Sequence, residues 1–431
     1  MDDPIKGFRD FYPDEMGPRR AVIDTIEAVS RRYGYREIGT PALEPTQLYI
    51  DKSGEEIVEE LYSFTDQGGR ELALTPELTP TVARMVVAKQ QALSKPIKWR
   101  STRPFWRYEE PQQGRFREFY QTNVDCFGSA EPMADAEILA LTANSLTALG
   151  LDRESFEFRI SHRDILGGLL ESFDADVDVG GAIRAVDKRE KIDLATYYEL
   201  LEDSGLTTEQ ASTFDELLAV ESLDELLEYA EGDRLRSAIT NLQDVFANAE
   251  ELGVRQYCSL SLDTARGLDY YTGTVFECFD STGSVSRAVF GGGRYDELIE
   301  GYGGQPTPAV GVAFGHATLA LLLDNAGVLP DESLQTDYYV LTVGETRAVA
   351  TEIVQSLRKN GHVVETDIAD RSFGSQMGYA DSIGAETVII VGERDLENDE
   401  VTIKAMDSGE QTTVPLAAIR EDTSPTYDDY A

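Results

Sequence analysis

Residues 98–128 read KWRSTRPFWRYEEPQQGRFREFYQTNVDCFG. Arginine and aromatic residues alternate on both sides of a Pro/Gln/Gly turn at 111–114. This pattern predicts two antiparallel strands joined by a long loop. Five arginines, Arg100, Arg103, Arg107, Arg115 and Arg117, fall within eighteen residues of an acidic chain. Arginine grips phosphate oxygens through paired N–H bonds, and a neighbouring aromatic ring can stack a base. A sheet with salt-bridged arginines is the other reading, because Glu109, Glu110 and Glu118 are close by.

Upstream, Gly17–Tyr33 carries Val22, Ile23, Ile26 and Val29 at helical spacing and stops at Gly34. A short strand at Tyr35–Ile38, a helix at Asp51–Tyr62, a strand in LALTPELTP (72–80) and a helix in TVARMVVAKQQAL (81–93) are predicted next. Downstream, Glu137–Leu149 reads as a helix, and 164–250 as an inserted helical module rich in Leu, Ala, Glu and Asp. β character returns in RGLDYYTGTVFECF (266–279). SVSRAVFGGGRYDELI (284–299) and PAVGVAFGHATLALLL (308–323) each read as a strand turning into a helix. After a polar linker, strand–helix alternation over 337–418 predicts a small α/β domain with a mainly parallel sheet. The end, EDTSPTYDDYA, reads as a mobile acidic tail. The expected division is 1–163, 164–250, 251–328, 333–420 and a tail at 421–431.

The chain has 431 residues, enough for two or three domains, and a net charge of −41. Hydrophobic residues at 41% exclude general disorder, and no apolar run reaches about 18 residues, so no membrane span is expected. The acidic, polar N-terminus does not read as a secretory leader. Cys126, Cys258 and Cys278 are widely spaced, and His162, His316 and His362 lack ligand spacing. A disulfide framework and a zinc enzyme are therefore both unexpected, and a reducing cytoplasm fits. Nine lysines stand against twenty-nine arginines, and acid is spread over nearly every predicted helix. Such a surface repels itself in dilute buffer and suits a salt-rich cytosol, with an acid-rich mesophilic protein as the alternative. Bulk charge opposes nucleic acid, so any such contact must rest on local arginines.

Three further motifs bear on chemistry. RGLDYYTGTVFE places Arg266, Asp269, Tyr270 and Tyr271 on a predicted strand whose alternation sends the two tyrosines to opposite faces. FGGGRYDEL lacks the spacing of a phosphate loop and reads as close backbone packing. LTPELTPTVAR holds Glu77, Thr75 and Thr79 between prolines, either to position a carboxylate for an ammonium group or as a plain loop.

Together and in this order, the pieces resemble the histidyl-tRNA synthetase family of class II aminoacyl-tRNA synthetases, from GFRDFYPDEM near the start to the terminal α/β unit. YREIGTPALEP resembles motif 1, PFWRYEEPQQGRFREF motif 2, RGLDYYTGTVFE the histidine-specific peptide, and GGGRYDELIEGYGGQPTPAVGVAFG the approach to motif 3. The resemblance implies an α+β fold. A class II antiparallel sheet flanked by helices carries a helical insertion, and a C-terminal α/β anticodon-binding domain follows. It implies histidyl-adenylate formation from ATP and L-histidine, then histidyl transfer to the 3′ adenosine of tRNA(His), by a cytoplasmic homodimer. Mg2+ would arrive with ATP rather than in a protein cage. Arg107 and Arg266 would be catalytic, gripping the α-phosphate and the substrate carboxylate. Glu77, Thr79 and Gln121 would take the α-ammonium. Asp125 and Tyr271, beside Tyr270, would take the imidazole. Glu109, Arg115 and Phe119 would join Arg107 on ATP. Asp125 and the Glu77-Leu78-Thr79 triplet point to an archaeal or eukaryotic form. Motif 3 departs from the family: Gly315-His316-Ala317-Thr318-Leu319 stands where Gly-x-Glu-Arg-Leu is usual. The arginine that grips the γ-phosphate is replaced by Thr318, with Arg294 a possible substitute and His316 read as a core residue. A non-catalytic regulatory subunit of a histidine-biosynthesis phosphoribosyltransferase is the alternative function.

Unfolding in about 0.1 M and about 2 M KCl tests the salt reading. The midpoint should rise with salt; no gain would refute adaptation to a saline cytosol.

Overall fold

Eight strands build the sheet of the larger of two units, Met1–Asp331; the smaller is Glu332–Ala431. The structure, a computed structural model, describes residues 4–50, 59–173, 176–189, 192–230, 232–264, 270–330, 335–421 and 424–430. The strands of the larger unit are β1 (Arg36–Glu37), β2 (Leu43–Pro45), β3 (Ser63–Thr65), β4 (Glu71–Leu74), β5 (Ile97–Trp106), β6 (Glu118–Phe127), β7 (Phe156–His162), β8 (Cys258–Leu260), β9 (Thr274–Asp280), β10 (Phe290–Arg294) and β11 (Ala309–Gly315). The main sheet runs β1-β5-β6-β11-β10-β9-β7-β8, and β2-β4-β3 form a small sheet of their own. Neighbours in the main sheet are antiparallel except for the parallel edge pairs β1–β5 and β7–β8.

Helices cover one face of this sheet. The first is Pro13–Arg32, four residues longer at its start than its apolar spacing predicts. Pro13 sets the first-turn φ, and Glu15 accepts the Tyr12 N–H at 3.1 Å. Pro132–Ala148 is apolar nearly all round and is buried accordingly. The residues between β7 and β8 supply further helices, from Arg163–Glu171 to Asp233–Glu251. Their starts are written in the sequence: Asp178, Asp193, Thr207 and Ser222 each accept a backbone N–H from the first turn they cap. Their apolar residues share one core with the sheet, in which Leu139, Leu166, Ile239 and Leu242 join Val124, Phe158 and Phe276. The helix predicted at Asp51–Tyr62 falls mostly outside the described residues.

The smaller unit contains β12 (Tyr338–Val343), β13 (Val364–Thr366), β14 (Thr387–Gly392), β15 (Glu400–Ala405) and β16 (Gln411–Pro415), in the order β13-β12-β14-β15-β16. Only the first three run parallel, because the helices Arg347–Lys359 and Phe373–Ser382 supply crossovers. β14, β15 and β16 are joined without such crossovers and pair antiparallel, so the sheet is mixed rather than mainly parallel. The acidic end is not a free tail. Tyr427 and Tyr430 pack on this unit's core, and Pro425 is buried. Among the described residues no helix is long and apolar enough to cross a membrane.

β10 is tied to the helical layer by a buried ion pair. Arg294 Nη2 meets Asp135 Oδ2 at 2.5 Å, with side chains 6% and 2% exposed, and further bonds run to Ser129 O and Asp296. Arg294 is thereby fully used, lies outside the cavity described below, and does not replace the motif 3 arginine. Removing one partner of such a pair strands a buried charge. Arg294→Ala should therefore lower stability by about 3–5 kcal/mol in chemical denaturation. A loss under about 1 kcal/mol would contradict this role.

Candidate active site

A cavity of about 390 Å³ opens on the sheet face opposite to Val124 and Cys126. Its floor follows from strand alternation: Gln121, Asn123 and Asp125 point into it from β6, while Val124 and Cys126 point into the core. β11 passes under them with Gln121 opposite Gly315 and Asp125 opposite Gly311. Gly311 is required there. A Cβ would lie 2.5 Å from both Asp125 Oδ1 and Tyr295 Oη, and 2.8 Å from Val124 O. The glycine run of β10 is likewise close packing, since a Cβ on Gly292 would meet Gly311 O at 2.2 Å.

One end of the cavity is a carboxylate-and-tyrosine box. Asp125 is buried and accepts a hydrogen bond from the Tyr295 hydroxyl. Loss of water pushes its pKa up to about 7, against the pull of that bond. Tyr270 and Tyr271 pack together at 5.0 Å and edge onto Tyr295. The Tyr270 hydroxyl donates to Glu77 Oε2 at 3.4 Å. Glu77 is buried just before the helix Thr79–Lys89, whose first residue also lines the cavity. The sequence predicts a strand from residue 266 with the two tyrosines on opposite faces. β9 instead begins at Thr274, and both rings line the cavity from a loop. Arg266 lies outside the described residues.

The other end is cationic. The five arginines of 98–128 divide between the two readings of that segment. Arg100 pairs with Glu27 at 2.9 Å, Arg103 donates to Pro41 O at 2.7 Å, and Arg117 donates to Glu109 O at 3.0 Å and stacks on Tyr108. Those three hold the scaffold. Arg107 and Arg115 line the cavity. Arg107 Nε donates to Pro76 O at 3.1 Å and its guanidinium stands 5.4 Å from the centre of the Phe119 ring. Arg115 meets Glu109 at 3.3 Å.

Of the site residues expected from sequence, Glu77, Thr79, Arg107, Glu109, Arg115, Phe119, Gln121, Asp125, Tyr270 and Tyr271 all face this one space. His316 is buried, with Nε2 at 2.8 Å from Thr122 Oγ1, and burial pushes its pKa down to about 3, so it is neutral. It nonetheless forms part of the cavity wall. Asn123, Tyr295, Arg287, Glu277 and Asp187 also line the cavity and were not anticipated. Period-two spacing between Gln121 and Asp125 signals Asn123. Asp187 comes from the helix Val179–Lys188, which sequence assigns to a separate insertion. Among the described residues no group of three or more His, Cys, Asp or Glu is placed to hold a metal.

The family model described as histidyl-tRNA synthetase matches residues 7–319, and one described as an anticodon binding domain matches 337–422. The chain belongs to the histidyl-tRNA synthetase family. Relatives named histidine–tRNA ligase from the halophilic archaea Natronomonas pharaonis and Haloarcula marismortui are each 68% identical, covering all of both chains. One from Pyrococcus furiosus is 39% identical over 98% of each. A crystal structure of histidyl-tRNA synthetase from Nostoc sp. PCC 7120 superposes with a TM-score of 0.83 at 25% identity, covering 98% of both chains. The fold is thus that of a class II synthetase, with a catalytic sheet and a C-terminal anticodon-binding domain. Full-length likeness to ligases does not favour the regulatory-subunit alternative.

The Asp125 pKa sets a pH-dependent cost. An unfolded aspartate titrates near 4 and this one near 7, so its ionisation destabilises the fold progressively between those values and fully above them. Asp125→Asn should therefore raise the unfolding midpoint at about pH 8, and not at about pH 4. Equal midpoints of variant and parent at the higher pH would rule this out.

Proposed function

We propose that this cavity is where histidine and ATP are joined, and that the chain acts as a histidine–tRNA ligase through it. One observation carries the reading: a tyrosine–carboxylate box and a set of arginines open into one continuous space. In the first step a histidine carboxylate oxygen attacks the α-phosphorus of ATP and pyrophosphate leaves. In the second, a ribose hydroxyl of the terminal adenosine of tRNA(His) attacks the adenylate carbonyl carbon and AMP leaves. Two anions must meet in the first step, so positioning and charge neutralisation dominate.

Arg107, braced by Pro76 O and Phe119, takes the α-phosphate and the carboxylate together. Arg266 is assigned the same grip on its sequence motif alone. Glu77, Thr79 and Gln121 accept from the α-ammonium. Asp125 accepts the imidazole N–H, and Tyr270 and Tyr271 wall the ring. Phe119 stacks on adenine with Glu109 at its edge, and Arg115 reaches the outer phosphates. Mg2+ would come as the counter-ion of ATP, with Glu277 a cavity carboxylate that would help hold it. The enzyme is read as a cytoplasmic homodimer built through motif 1, which light scattering would show as a two-chain mass. tRNA contact in the smaller unit is assigned to the matched anticodon-binding family.

Histidine-dependent exchange of pyrophosphate into ATP, run in molar KCl, tests the reading. Arg107→Ala should lower kcat about 10²–10³-fold. Asp125→Asn should raise KM for histidine with little change in KM for ATP. In the parent enzyme, KM for histidine should rise as pH falls below about 7, where Asp125 takes up its proton. No exchange with pure, folded protein would overturn the assignment.

A further inference from the structure

Thr318 stands where motif 3 of the family has an arginine, and Thr318 is not a cation. Its hydroxyl donates to Gly315 O at 3.1 Å and to Val289 O, so it is used in fastening the helix His316–Asn325 to the end of β10. Arg287 lies two residues before Val289 on the segment entering β10, half-buried and lining the cavity. The two side chains converge on the turn between β5 and β6. A Cβ built on Gly114 would stand 2.6 Å from Arg287 Nη2 and 3.1 Å from Thr318 Cγ2. Arg287 Nη2 also donates to Gln113 O in that turn.

The charges nearest Arg287 pull in opposite directions. Burial lowers its proton affinity first, and the neighbouring charge of Arg115 lowers it further. Glu109 opposes this but is already engaged by Arg115 at 3.3 Å. Among the described residues no carboxylate comes within ion-pair distance of the Arg287 guanidinium. Arg115 and Arg287 therefore both lean on Glu109, and only Arg115 forms an ion pair with it. Arg287 thus presents to the cavity a guanidinium without an ion pair of its own among the described residues, and planar paired donors suit phosphate oxygens.

We propose that Arg287 replaces the motif 3 arginine and grips the terminal phosphate of ATP, delivered from the strand side of the cavity rather than from the helix. The proposal rests on reading the cavity as the ATP site. It assigns Thr318 the task of holding the β10 end, and with it Arg287, in place. Arg287 contacts the leaving pyrophosphate, so its grip persists through attack at the α-phosphorus and steadies the charge that develops on the departing oxygen.

The test uses the full-length enzyme in molar KCl, with ATP and AMP as probes. Arg287→Ala, and Arg287→Gln, which keeps a donor for Gln113 O but loses the charge, should each raise KM for ATP about 10-fold or more and lower exchange about 10²-fold. KM for histidine and the competitive inhibition constant of AMP, which has no outer phosphates, should change less than about 3-fold. Arg287→Lys should recover part of the loss. Equal weakening of AMP and ATP in both Arg287→Ala and Arg287→Gln would mean the residue acts only through the β5–β6 turn, and an unchanged KM for ATP would mean it does not touch the phosphate; either result overturns the proposal. Absence of exchange in the parent enzyme would instead remove the underlying function.

Discussion

Ten consecutive residue pairs, from Ile97 opposite Phe127 to Trp106 opposite Glu118, lock β5 and β6 in one register. The site depends on that register. Side chains alternate between faces, so a slip of one residue would bury Gln121, Asn123 and Asp125 in the core and turn Thr122, Val124 and Cys126 towards the cavity. The alignment is fixed from both sides. The Thr102 and Thr122 hydroxyls meet at 2.9 Å across the pair, Trp106 Nε1 donates to Glu118 at 3.2 Å, and β11 holds the other edge of β6 over seven residues. The turn joining β5 to β6 then delivers Glu109 and Arg115 to the same opening that the floor faces.

Much of this was legible in the sequence because local rules and tertiary need agree in it. The arginine–aromatic hairpin, the capped helices after β7 and the strand–helix alternation at the end follow from periodicity and punctuation alone. The motifs predict the company of Glu77, Arg107 and Asp125 across large sequence separations, which spacing by itself does not. What sequence hid has physical causes. Tyr270 and Tyr271 sit in a loop because β9 begins only at Thr274, so alternation does not apply to them. In the sequence Arg294 reads as a spare cation, but its partner Asp135 is 159 residues away and belongs to a helix with no outward sign of the pairing. Arg287 sits in an unremarked strand approach, where only the fold brings it to Gly114 and Thr318. Tyr427 and Tyr430 show that an acidic composition does not make a segment free when two aromatic rings can reach a core.

Salt divides the electrostatics by range. With a net charge of −41, the surface repels itself over distances that molar salt cuts to about 3 Å. Contacts at hydrogen-bond distance survive that screening, whereas long-range steering of an anionic substrate does not. Under those conditions the arginines of the cavity act by touch, which places the weight of any anion contact on how firmly each guanidinium is braced. Arginine suits that demand better than lysine, and lysine is scarce in the chain.

The close approach at Gly311 has a consequence for how this site can change over generations. Even one methyl group there would press on Asp125, Tyr295 and the β6 backbone at once, so no single substitution at 311 is tolerated while those partners remain. A lineage that altered the buried acid or its tyrosine would loosen that ban, and only then would the glycine be free to drift. The three positions are sterically coupled, so that end of the cavity can change only as a block rather than one residue at a time.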